Sequence, residues 1–170
     1  MVQRELIHFA HANGVPAGTH ARLLDALREE YSVIAIEKLG HNTQYPVNDG
    51  WSNLVAELTA YIEGNASEPV IGVGHSLGSL VTFMAAYRRP DLFRQVVMLD
   101  PPLMYGPPAL GWYLAKKTGL VNRVREVSLT RKRRTEWPSV VEAETQLRDK
   151  PLFRRFDPEC FRDYLRYGLT

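Results

Sequence analysis

One stretch of this chain has the residue types and spacing for nucleophilic chemistry. Gly74-His75-Ser76-Leu77-Gly78 fits the pattern G-x-S-x-G. It directly follows an apolar run that reads as a strand and directly precedes a helical pattern. In that setting a serine is forced into a strained turn above a sheet, and flanking glycines remove the Cβ atoms that would clash there. The serine then stands at a helix N-terminus, where backbone N–H groups and the helix dipole stabilise negative charge. Such a turn supports attack by the serine oxygen, provided a base takes its proton. A serine that only capped the helix would not require glycine on both sides. Ser76 is therefore read as a nucleophile, with Gly74, His75 and Gly78 as the residues of its elbow.

The remaining candidates are weaker. Neighbouring residues in a tight turn point apart, so His75 reads as a packed elbow residue and not as the base. His11 reads as a hydrogen-bonding organiser of its loop, and His41 as one that orders its turn. Asp100 ends a strand beside the elbow strand and reads first as a capping or turn residue of the Asp-Pro-Pro sequence, with a triad-acid role as the lesser reading that the resemblance given below implies. Tyr105 and Trp112 are candidates for a substrate cleft, against ordinary packing. A different chemistry is also written in the glycines. Gly72-x-Gly74-x-x-x-Gly78 after a strand, with Asp100 ending the next strand 22 residues beyond Gly78, resembles a variant dinucleotide fingerprint. Against it, that fingerprint occupies a first strand–helix turn, whereas two such units precede this one, and His75 and Ser76 would crowd a pyrophosphate.

The elements that position these residues are legible from apolar runs. Leu6–Ala10, Val33–Ile36, Pro69–Val73 and Val96–Leu99 read as short strands buried on both faces of a parallel sheet. Helical patterns lie between them. One runs from about Thr19 to Glu29 and buries Leu23, Leu24 and Leu27. A second carries Trp51, Leu54, Val55, Leu58, Tyr61 and Ile62 on one stripe, with Asn48 or Asp49 at its start and Gly64 at its end. A third runs from Leu77 to Arg89 and stops at Pro90. The pattern predicts an α/β fold with right-handed crossovers over residues 1–100. After Asp100 prolines interrupt the chain, and Leu110–Lys117, Pro138–Arg148 and Pro158–Tyr167 read as amphipathic helices forming a layer over the sheet across residues 101–170.

With these elements in place, the chain resembles the α/β-hydrolase superfamily of the esterase, lipase and C–C-bond-hydrolase type. His11-Ala12-Asn13-Gly14-Val15-Pro16 is similar to the family's oxyanion loop, usually His-Gly-x-Pro, here two residues longer. Gly40-His41 matches its Arg-Gly-His turn, although Glu37 stands where Asp is usual and Leu39 where Arg is usual. Val97-Met98-Leu99-Asp100-Pro101 resembles the strand after the nucleophile helix. The resemblance implies a partial α/β-hydrolase fold: four parallel strands in the spatial order second, first, third, fourth, flanking helices, and a helical cap. It implies ester hydrolysis on a small-molecule acyl substrate, without cofactor or metal, with oxyanion donors at Leu77 and Val15 or, as the lesser choice, Asn13. Serine at the elbow speaks against epoxide hydrolases and haloalkane dehalogenases, which resemble this fold but use aspartate. The family's triad runs Ser, acid, His in chain order, yet none of the five histidines follows Ser76. The expectation is therefore a chain spanning the family's third to sixth strands, from a parent of roughly 250 residues. It would be severely impaired on its own and would self-associate through an open sheet edge. A non-catalytic ligand-binding protein is the alternative in another class.

Composition narrows the field further. With 45% hydrophobic and 24% charged residues in 170, the chain is an ordinary globular sequence and neither disordered nor fibrous. No apolar run approaches the roughly 20 residues of a membrane-spanning helix. Cys160 is alone, which excludes an internal disulfide and fits a reducing, cytoplasmic setting. Residues 1–100 carry a net charge of 7 − 11 = −4 and residues 101–170 one of 14 − 8 = +6. The basic run Arg131–Arg134 reads as a solvated helical face, because no nucleic-acid-binding module accompanies it.

Overall fold

Alternation along one strand determines how the sheet is covered. In β3 (Val70–His75) successive side chains point to opposite faces, so Val70, Gly72 and Gly74 share one face and Ile71, Val73 and His75 the other. The first set meets two helices, α2 (Ser52–Asn65) and α3 (Leu77–Arg88), with Leu54, Leu58, Ile62, Val81 and Ala85 buried against Val70. The second set joins Ile7, Phe9 and Leu24 under α1 (Ala21–Arg28). Glycine on the α3 face has a steric reason: a Cβ at Gly72 would come within 2.7 Å of Thr82 Cγ2. The bare backbone lets α3 lie directly on the strand.

Around β3 the sheet is wholly parallel. It contains β1 (Leu6–Ala10), β2 (Ser32–Ala35) and β4 (Phe93–Leu99), in the order β2-β1-β3-β4 that the resemblance implied. A computed structural model of the chain describes residues 4–118 and 137–169. The basic run Arg131–Arg134 lies outside the described residues. Among those described, no helix is long and apolar enough to cross a membrane.

Several expectations need correction. Only the central strands are buried on both faces; β2 and β4 are half-buried because each has a neighbour on one side only. Gly64 does not end α2, which runs one residue further and closes with Ala66 N–H on the Ile62 carbonyl. Asn48 does serve the start of α2, but at a distance: its Oδ1 accepts from Asn53 N–H and its Nδ2 donates to Ser52 Oγ. Leu23 is not buried beside Leu24; it is 38% exposed and faces a cleft.

The second half is not a layer over the sheet. Here α5 (Val140–Arg148) and α6 (Pro158–Tyr167) enclose their own apolar cluster of Ala143, Leu147, Phe153, Phe161 and Leu165. That unit docks on the 17–28 segment: the Tyr167 ring occupies the space beside Gly18, and Arg22 pairs with Glu159 at 2.7 Å. The remaining helix, α4 (Gly106–Lys117), buries no residue, and Lys116 ties it to Asp49.

One core residue carries a pH signature. His8 is fully buried, both ring nitrogens lack a partner, and its ring meets Tyr61 edge-on at 5.7 Å. Burial lowers its pKa from 6.5 to about 3. The fold thus keeps the ring neutral where the unfolded chain would protonate it. His8's contribution is complete above the ordinary histidine pKa and is lost as pH falls below it. Between about pH 7 and about pH 5 that loss amounts to ~2 kcal/mol. Urea unfolding of His8→Leu should show a stability profile flatter by this amount than wild type; an unchanged slope would contradict the assignment.

Candidate active site

The turn between β3 and α3 holds Ser76 in a conformation that L-residues avoid, φ 51° and ψ −116°. Such backbone strain costs of order 1–3 kcal/mol and persists only where surroundings impose it. Here they do. A Cβ on Gly74 would lie 2.5 Å from the Gly78 carbonyl oxygen, and one on Gly78 would overlap the Ala10 carbonyl and come within 2.6 Å of that of His11. The start of α3 is thereby pressed onto the end of β1. Hydrogen bonds then fix the turn. Ser76 N–H donates to the Leu99 carbonyl at 2.9 Å, while the Ser76 carbonyl accepts from Ser79 N–H at 3.1 Å and Ser79 Oγ at 2.5 Å. The half-buried Ser76 side chain makes no capping hydrogen bond. Among the described residues no backbone carbonyl claims the N–H of Leu77, the first residue of α3.

The loop after β1 faces this turn. His11, buried at its start, donates from Nδ1 to the Ala12 carbonyl at 2.8 Å and accepts Leu39 N–H on Nε2 at 2.7 Å. Burial lowers its pKa, so the neutral ring acts as donor and acceptor at once. It organises the loop, as its position suggested. Gly14, at φ 67°, completes a turn in which Val15 N–H donates to the Ala12 carbonyl at 3.1 Å. The Val15 N–H is therefore already engaged. That of Asn13, the lesser choice from sequence, has no protein acceptor among the described residues. Glu37 anchors the far end of the loop, its carbonyl accepting Ala17 N–H at 3.0 Å and its Oε1 accepting Gly18 N–H at 3.1 Å.

Other candidates separate clearly. His75 leaves the strand on the α1 face, opposite the elbow glycines, and its Nδ1 meets His20 Nε2 at 2.9 Å. Asp100 follows β4 with φ 46° and is exposed. The turn at His41 is ordered instead by buried Glu57, whose Oε2 accepts Gly40 N–H at 2.9 Å. A cleft of about 950 Å³ opens beside the elbow, between Asn13–Val15, His20, Leu23 and His75 on one side and Trp137, Leu147, Phe153 and Phe156 on the other. Neither Tyr105 nor Trp112 lines it. His20, Trp137 and Phe153 were missed in the sequence, since nothing in local spacing marks them. Glu37 could have been found, because it stands at a position where the resemblance expects an acid. The three glycines of the dinucleotide-like spacing are accounted for by close contacts of α3 with β1, β3 and β4.

Comparison with known proteins agrees with this fold. Residues 9–168 match the model of the Alpha/beta hydrolase family. The type I acyl-CoA thioesterase mpaH of Penicillium brevicompactum is 25% identical over 166 residues, covering 88% of this chain and 36% of that protein. The abhydrolase domain-containing protein AKT2 of Alternaria alternata is 36% identical over 104 residues, covering 60% of this chain and 34% of its own. The chain thus spans about a third of the length of these relatives. Among solved structures, E-2-(acetamidomethylene)succinate hydrolase superposes with a TM-score of 0.69 at 23% identity, over 96% of this chain and 56% of that one. A thioesterase domain from the curacin biosynthetic pathway gives 0.66 at 16%, over 97% and 58%.

The strained turn makes a stability prediction. Ser76→Gly relieves the positive φ and Ser76→Ala does not, so the glycine variant should be the more stable by ~1 kcal/mol. Gly78→Ala, whose methyl group meets backbone on β1, should cost ~3 kcal/mol or more. Chemical unfolding of the three variants checks both; a Gly78→Ala protein as stable as wild type would refute the packing argument.

Proposed function

The chain belongs to the alpha/beta hydrolase family, and on that premise we propose that it carries the nucleophile and oxyanion hole of a serine acyl hydrolase. One observation supports this above the others. An uncommitted serine hydroxyl is held in a left-handed turn between two packed glycines, beside an unclaimed helix N–H. In the proposed reaction Ser76 Oγ gives its proton to a base and bonds to the acyl carbon of a carboxylic ester or thioester; the same proton later goes to the leaving group. The carbonyl electrons move onto oxygen, and the N–H groups of Leu77 and Asn13 receive that charge. Collapse of the tetrahedral intermediate breaks the bond to the alcohol or thiol, which leaves with a proton, and water then releases the acid from Ser76. The predominantly apolar cleft suits a bulky apolar acyl group, with side chains from residues 137–169 as its outer wall. The thioesterase relative supports extending the substrate class from esters to thioesters.

None of the five histidines hydrogen-bonds Ser76. His8 is sealed in the core, His11 is committed to the loop, His20 and His75 face each other, and His41 is exposed in the turn after β2. Full activity therefore requires a histidine base other than these, with Asp100 as a candidate for the acid that orients it. On this reading the chain by itself retains at most the ~10³–10⁴-fold rate over water that an oxyanion hole and binding provide.

A fluorophosphonate probe, with added imidazole supplying the base that the five histidines do not, tests the assignment, because it reports nucleophile and oxyanion hole without turnover of a substrate. Mass spectrometry of the digested chain should place the adduct on Ser76, and Ser76→Ala should remove it. An adduct formed at the same rate in Ser76→Ala would refute the proposal. No adduct in wild type, with an apolar ester still bound in the cleft, would favour the non-catalytic ligand-binding alternative.

A further inference from the structure

His20 and His75 take no part in the chemistry just proposed, yet they join the loop after β1 to the elbow through a chain of side chains whose protons can be ordered. His75 Nδ1 and His20 Nε2 are 2.9 Å apart, and the rings meet edge to face at 5.2 Å. On its other side, His20 Nδ1 lies 3.1 Å from Thr19 Oγ1, and Thr19 Oγ1 lies 2.7 Å from the Pro16 carbonyl oxygen. That carbonyl can only accept, so it takes the Thr19 hydroxyl proton. The Thr19 oxygen must then accept, which puts a proton on His20 Nδ1. A neutral His20 is left with a bare Nε2, and His75 must donate its Nδ1–H into it. Burial, aided by the neighbouring His75, holds the His20 pKa down at about 4, so the ring is neutral near pH 7. Phe9 packs on His20 at 4.9 Å. Among the described residues His75 Nε2 has no protein partner, it is not sealed from solvent, and both rings wall the cleft.

We propose that His20 is a positioning residue for the reaction at Ser76: it clamps the oxyanion loop to the elbow and holds His75 as the Nδ1–H tautomer. This rests on the reading of Ser76 as nucleophile and Asn13 as oxyanion donor. The loop and the elbow are separate chain segments, and a donor on one is useful to an oxygen on the other only when held to a fraction of an ångström. Gly78 provides a backbone contact at the base of the elbow, and the two imidazoles add a directional bond above it. That bond fixes which nitrogen of His75 carries a proton at the wall of the cleft. No proton is transferred by the clamp; it orders groups and leaves their charge unchanged.

The test is the tautomer of His75, read from the imidazole ¹⁵N shifts of the full chain at mildly alkaline pH. Wild type should show Nδ1–H, although an unconstrained imidazole in water favours Nε2–H. His20→Gln, whose amide can donate to Thr19 and accept from His75, should keep that tautomer. His20→Leu and Thr19→Val should release it. Imidazole-assisted fluorophosphonate labelling of Ser76 should stay within about 3-fold of wild type in His20→Gln and slow by about 10-fold in His20→Leu, with thermal unfolding showing that each variant folds. An Nε2–H tautomer in wild type, or a folded His20→Leu that keeps both the tautomer and the labelling rate, would overturn the proposal. If wild type fails to label at all, the nucleophile assignment falls while the tautomer still decides whether the clamp exists.

Discussion

The contact between the start of α3 and the end of β1 is the constraint on which the rest of the site depends. Gly78 has only a hydrogen where a side chain would overlap the Ala10 and His11 carbonyls, and Gly74 likewise leaves room for the Gly78–Ser79 backbone. With both glycines in place, α3 can begin one residue after the strand ends, and Ser76 must bridge the two with a positive φ. The strain is local and is held by surrounding packing, which includes the bond from Ser76 N–H to β4. The same compression brings the loop after β1 alongside the elbow. The strained Ser76 turn, the Leu77 N–H and the Asn13 N–H are thus placed by one packing contact between two chain segments.

Much of this was readable in advance because it is local. Strand and helix periodicity follow from side-chain direction, so β1, β3 and α3 lie close to where the apolar runs place them. The elbow was legible for the same reason: its glycines, its serine and its strand–helix setting are contiguous in sequence. What escaped depends on pairings across the fold. His20 and His75 are 55 residues apart and meet only because β3's alternation turns His75 toward the 17–20 turn. The sequence pointed to Val15 as the preferred oxyanion donor, and local geometry intervened, since Gly14's conformation spends that N–H on a turn. Leu23 fitted a buried helical stripe, but the cleft beside α1 removes the surface that would have covered it.

The second half shows how far periodicity alone can mislead about packing. Three amphipathic helices were expected to share one layer over the sheet. Instead α5 and α6 bury their apolar faces mainly against each other and the intervening Phe153, then dock through α6 on the turn before α1. That arrangement leaves the sheet's own cores to α1, α2 and α3, and it leaves a cleft between the two parts. An apolar stripe specifies that a helix must bury a face, and it does not specify the partner. The cleft is accordingly a property of the assembled fold, with one wall built from the segment that orders the elbow.

The most direct measurement of the central claim is amide NMR of the chain titrated with an aryl boronic acid, which becomes a tetrahedral anion only when a nucleophilic oxygen adds to boron. The account predicts a tetrahedral boron signal, downfield movement of the Leu77 and Asn13 N–H resonances as they donate to the boronate oxygen, and an unmoved Val15 resonance. A tetrahedral adduct that shifts Val15 in place of Asn13 would return the oxyanion hole to the donor expected from sequence. A boron that stays trigonal at saturating concentration, with Leu77 unshifted, would contradict the reading of Ser76 as the nucleophile.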